Sequence, residues 1–194
     1  MLFRSRLGKI HATDACFYIL FQFVGGVAGV FLALWVVGNS VRHASVNYVA
    51  TTPGTYGLAA AFGGELLISF LQMTVVLTVS NHSRLARFTG LIAGGLVATY
   101  ISIESPLSGM SMNPARTCAS ALPGQLWTGW WIYFTAPLLG MLSAAQVYLW
   151  KQGKAGINCA KLHHHNNKRC IFCEYRHRKD IKAEPAAAKA AISF

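Results

Sequence analysis

Four stretches of this chain are apolar over lengths that match the hydrocarbon core of a bilayer. Crossing ~30 Å of hydrocarbon takes roughly 20 residues of helix, and the runs at 15–37, 57–79, 86–103 and 126–150 are near or beyond that length. The first is interrupted only by Gln22, the second holds Glu65 and Gln72, and the third begins near Arg87. Composition agrees. Charged residues make up 12% of the chain, against about 25% in soluble domains. The expected class is an all-α membrane protein with four transmembrane helices, not a soluble domain.

The net charge is +11, which suits either nucleic acid or a membrane topology signal. Distribution separates the two. Arg4, Arg6 and Lys9 precede the first span, Arg84 and Arg87 lie between the second and third, and ten of the 17 Lys and Arg follow the fourth. If those faces are cytoplasmic, the opposite loops keep only Arg42, apart from Arg116 in a short segment treated below. This positive-inside asymmetry predicts a multi-pass protein of the plasma (inner) membrane with both termini cytoplasmic. The expected partner is the lipid bilayer, with no nucleic acid. The chain then divides into a cytoplasmic stub (1–14), a membrane region (15–150) and a basic Cys/His-rich tail (151–194). The polar connection 38–56 reads as external. Asp14 reads as the cap of the first span and Glu104 as a polar end of the third.

Between the third and fourth spans lies a shorter stretch, 113–122, bounded by Pro114 and Pro123. Asn113 suits a helix N-cap and Pro114 the first helical position, so a half-helix of about 15 Å is expected. Two readings stay open on these residues. One is a half-helix beginning inside the membrane, its positive dipole end and the five donors of Arg116 aimed into a cavity. The other is an external loop whose Arg116 faces water.

The run Ser108-Gly109-x-x-Met112-Asn113-Pro114-Ala115-Arg116 resembles the second signature motif of the aquaporin (major intrinsic protein) family. Glu65 with Ser69-Phe70-Leu71 resembles that family's buried glutamate, and Tyr18-Ile19-x-x-Gln22-x-x-Gly25 its third span. Order and spacing agree from about 7 to 150. The resemblance implies a partial inverted-repeat bundle of four spans plus one half-helix. It also implies a passive channel for water, with a glycerol or small-neutral-solute facilitator as the alternative. Asn113, Pro114, Ala115 and Arg116 would form the pore, with Met110 (carbonyl and side chain) and Ile101 at the constriction. Glu65 and Gln22 would give structural support, Glu65 by accepting backbone N–H bonds. A homo-oligomer, a tetramer in that family, is implied as well.

The family's first two spans and first Asn-Pro-Ala half-helix have no counterpart in these residues. The expectation is an N-terminally truncated channel whose 194 residues alone do not conduct. A non-conducting membrane fragment with a metal- or lipid-binding tail is the alternative of another class. Ile101 leans away from strict water selectivity, and Thr117 after the arginine leans away from glycerol. No cofactor is expected in the membrane region. In the tail, Cys159, His163, Cys170 and Cys173 have zinc-ligand chemistry. Gly25-x-x-x-Gly29 and Gly90-x-x-x-Gly94 predict close helix packing, and Cys16 a packing role. No catalytic triad or paired carboxylates stand out, so the chain does not read as an enzyme.

Overall fold

The computed structural model describes residues 10–153. Every regular element among them is helical. The long helices are α1 (Ala12–Val37), α2 (Gly57–Ser80), α3 (Thr89–Ser108) and α5 (Trp130–Gln152), and α4 (Pro114–Gly124) is short. Four helices are long and apolar enough to cross a membrane. Several ends differ from the apolar runs. The first helix starts at Ala12 because His11 caps it, accepting the Thr13 N–H at 3.3 Å. Asp14 is not the cap; it lies in the first turn, where its charge still faces the positive helix end. The third helix continues past 103 to Ser108, so Glu104 is a buried helical residue rather than a polar end. Three prolines lie inside helices: Pro106 and Pro123 sit in last turns, whereas Pro137 lies within α5 and removes one donor from its interior.

The core is built around α2. It packs most extensively on α5 and next on α3, while α1 packs chiefly on α4. One cluster joins Met73 and Leu77 to Ala144 and Ala145, and another joins Ala61 to Ile132, Tyr133 and Ala136. Small residues set the α2–α5 distance. A Cβ on Gly140 would collide with the Leu66 carbonyl and come within 3.0 Å of the Phe70 nitrogen. Without hydrophobic drive between helices in lipid, such backbone proximity supplies the van der Waals contact that holds spans together.

Among the described residues, the glycine pairs expected to pack do not. A Cβ at Gly25, Gly29, Gly90 or Gly94 would meet nothing within 4 Å among the described residues. The contact is made one residue over, where Gly26 lies against Ala119 Cβ at 3.2 Å and the Ala115 carbonyl at 3.5 Å. Helix α1 otherwise presents Phe17, Phe21, Leu32 and Trp35 outward, and Cys16 is exposed rather than packed.

The α1–α2 connection is more ordered than its polar composition suggests. It contains 3-10 turns at Gly38–Arg42 and Asn47–Val49. Its end docks on the end of α3, with the Gly54 N–H donating to Leu107 O at 2.9 Å.

Candidate functional site

The approach to α4 is irregular backbone, and side chains satisfy it. Helix α3 ends at Gly109 in the left-handed region (φ 76°), whose N–H returns to Ser105 O at 2.8 Å. Gly109 has no alternative: a Cβ there would also strike Thr52 N and Thr51 Cα. Met110 and Met112 follow with φ of 48° and 56°, a costly state for such side chains. Glu65 holds this strained segment. Its carboxyl accepts the N–H groups of Ser111 and Met112, the second at 2.8 Å, and the Ser108 hydroxyl at 2.9 Å. Tyr133 of α5 donates its hydroxyl to Ser108 O at 2.6 Å. Glu65 is fully buried and lies eight residues into α2, which is about 12 Å along its axis.

That depth decides where α4 begins. Its preceding segment hangs from mid-α2, and Ala115 and Ala119 rest on Gly26 in the middle of α1. The half-helix therefore starts level with the middle of α1 and α2. Irregular backbone at such depth is tolerated where protein buries it or a cavity adjoins it. Both conditions hold. Asn113 caps α4, its Oδ1 accepting the Ala115 N–H at 3.0 Å. With Oδ1 engaged, the amide NH2 is the group left for other partners. Asn113, Ala115 and Arg116 line an open cavity of about 560 Å³ together with Gln22, Gly25 and Gly29 of α1 and Val46, Tyr48 and Val49 of the connection. The missing side chains of Gly25 and Gly29 are what leave this space open. Arg116 lines the same cavity as Asn113, and its Nη1 is buried without a hydrogen-bond partner among the described residues.

A family model described as major intrinsic protein matches residues 5–148. The chain belongs to the major intrinsic protein family. It is similar to Aquaporin NIP2-2 of Zea mays, 37% identical over 134 residues, covering 68% of this chain and 43% of that protein. Against a probable NIP-type aquaporin of Nicotiana alata it is 33% identical over 146 residues, covering 74% of this chain and 52% of that protein. Against Aquaporin NIP6-1 of Arabidopsis thaliana it is 36% identical over 111 residues, covering 57% of this chain and 36% of that protein. The chain thus spans about half the length, or less, of the curated relatives it matches.

Within this major intrinsic protein the structure sorts the expected site residues into three groups. Asn113, Ala115, Arg116 and Gln22 share the cavity, with Pro114 at the first helical position. Glu65 stands behind them as a brace, whereas Gln22 is exposed on the cavity wall and takes no part in the network around Glu65. The Met110 side chain does not face the cavity. It is buried with Ile68, Tyr100 and Met112, because its left-handed backbone turns it toward α2 and α3. Ile101 is half-exposed on α3 and lies outside the lining of this cavity. Cys159, His163, Cys170 and Cys173 lie outside the described residues.

Three contributors were not legible beforehand. Tyr133 sits among apolar neighbours with nothing to mark its hydroxyl. Thr51 and Thr117 pair across the fold at 2.8 Å, both buried. Glu104 is the third. It lies far from Glu65 in sequence, yet its carboxyl packs against Gly64, the neighbour of Glu65. Ser108, one turn after Glu104, gives its single proton to Glu65, and both Glu104 carboxyl oxygens are buried with no hydrogen-bond partner among the described residues.

Proposed function

We propose that this chain supplies the half-helix side of a passive channel for water. The observation that carries the reading is a helix beginning level with the middle of its neighbours, with Asn113 and Arg116 both lining one cavity. A permeating water would accept hydrogen bonds from Asn113 Nδ2 and from Arg116. The N-terminal end of α4 and the arginine charge together disfavour cations and hydronium in the passage. The printed names of the relatives, aquaporins of the NIP type, support the same reading.

A small neutral solute such as glycerol is the second reading. Ile101, half-exposed on α3, offers a permeant no hydrogen bond where it would stand at the constriction, and this favours a wider, less polar passage. The topology proposed with this function places both chain ends on the cytoplasmic side, following the Lys and Arg distribution. Stopped-flow measurements on proteoliposomes holding the full-length gene product test the function. Water permeability well above that of empty liposomes, lost in Arg116→Ala or Asn113→Asp, is expected. Permeabilities equal to empty liposomes for both water and glycerol would end the channel reading.

A further inference from the structure

The connection between α1 and α2 carries a buried hydroxyl, Thr51, that reaches the start of the half-helix through two others. Thr51 Oγ1 lies 2.8 Å from Thr117 Oγ1, which lies 2.6 Å from Ser111 Oγ, which donates to Asn113 O at 3.0 Å. All three hydroxyl residues are buried. A hydroxyl has one proton to give, and this fixes the direction of every bond. Ser111 uses its proton on Asn113 O, so it must accept from Thr117; Thr117, its proton spent, must accept from Thr51. The Asn113 N–H also points to Ser111 Oγ at 3.3 Å. The chain runs one way, Thr51 to Thr117 to Ser111 to Asn113, and no proton in it is unplaced.

The same stretch of connection is seated by its backbone. The Gly54 N–H donates to Leu107 O, and a Cβ on Gly54 would collide with the Pro106 carbonyl. Residues 51–54 therefore press on the end of α3 while Thr51 reaches over it to α4. From this geometry we infer that Thr51 is a positioning residue for the half-helix. Its hydroxyl fixes the Asn113 backbone, and through it the direction of the Asn113 amide and the selectivity of the passage. Aligned hydroxyl chains of this kind polarise one another in a dry interior, so loss of the first donor weakens the hold on the last acceptor.

The transport part of this inference rests on the channel reading above; the backbone part does not. The test uses the full-length gene product with Thr51→Val, which keeps the shape and removes the donor, and Thr51→Ser, which keeps the donor. Hydrogen exchange at the amides of Ala115, Arg116 and Thr117 should quicken about fivefold in T51V, as for loss of one neutral buried hydrogen bond, and stay near the wild-type rate in T51S. The glycerol-to-water permeability ratio in proteoliposomes should shift severalfold in T51V and return in T51S. Unchanged exchange in T51V, or equal acceleration in T51V and T51S, overturns the inference. If T51V does not insert stably, Thr51→Ala reads the same bond, and an unchanged exchange rate there overturns it too. Should the wild type pass neither water nor glycerol, the channel reading falls while the exchange measurement still decides this one.

Discussion

Replacing Glu65 by glutamine keeps the side chain's shape and turns one acceptor into a donor. Three donors converge on that carboxyl, two of them backbone N–H groups with no other partner among the described residues. Glu65→Gln is therefore expected to leave at least one N–H facing an NH2, at a cost of about 1–3 kcal/mol, read as a lower thermal midpoint in detergent. Tyr133→Phe removes one hydroxyl and should cost less, about 1 kcal/mol. Asn113→Asp separates cap from channel. Aspartate caps as well as asparagine, so the midpoint should hold. The NH2 facing the cavity becomes a carboxylate oxygen, so water permeability should fall. A loss of stability as large as that of Glu65→Gln would show that the amide matters to the fold and not to the passage.

At the level of elements, the spacing of small residues decides which helices touch. Gly140→Val should force α5 off the α2 backbone and sharply reduce the yield of folded protein, because backbone cannot yield as a side-chain tip can. Gly26→Leu should do the same to the α1–α4 contact, whereas Gly25→Ala, with open space before it, should be tolerated; a size-exclusion profile in detergent distinguishes these outcomes. Element identity was legible in the sequence. Apolar run length located all four spans, and Asn113-Pro114 marked the start of α4 to the residue. Ends were less legible, since run length registers hydrophobicity and helix continues through polar residues such as Glu104 when their side chains are buried. Register was the weakest point. Gly25-x-x-x-Gly29 and Gly26 differ by one residue, about 100° around the helix, and only three-dimensional packing tells which faces a neighbour. The Met110 side chain was misplaced for a similar reason. Its side-chain direction depends on a left-handed φ that no local pattern announces.

For the whole molecule, the site combines residues far apart in the chain: Glu65 from α2, Ser108 from α3, Tyr133 from α5, and Thr51 from the first connection. Pairings like Thr51 with Thr117 leave no periodic trace, so a single sequence could not have disclosed them; family resemblance brought Glu65 forward, and nothing did so for Tyr133. In the proposed topology, four membrane-length helices return the chain to the side where it began. Reporter domains fused to either end should therefore give the same accessibility from the cytoplasm, and opposite accessibilities would refute the proposed arrangement.

Glu104 bears on how hardy this protein can be made. A buried acid pressed on Gly64 and near the carboxyl of Glu65, with the proton of the neighbouring Ser108 given to Glu65 and no other donor among the described residues, works against the contacts around it. Exchanging it for methionine, close in shape and free of oxygen, should raise the temperature at which purified material survives in detergent, by about 1–3 kcal/mol of added resistance to unfolding. A position usually left untouched for being charged is thus the first place to engineer a tougher variant.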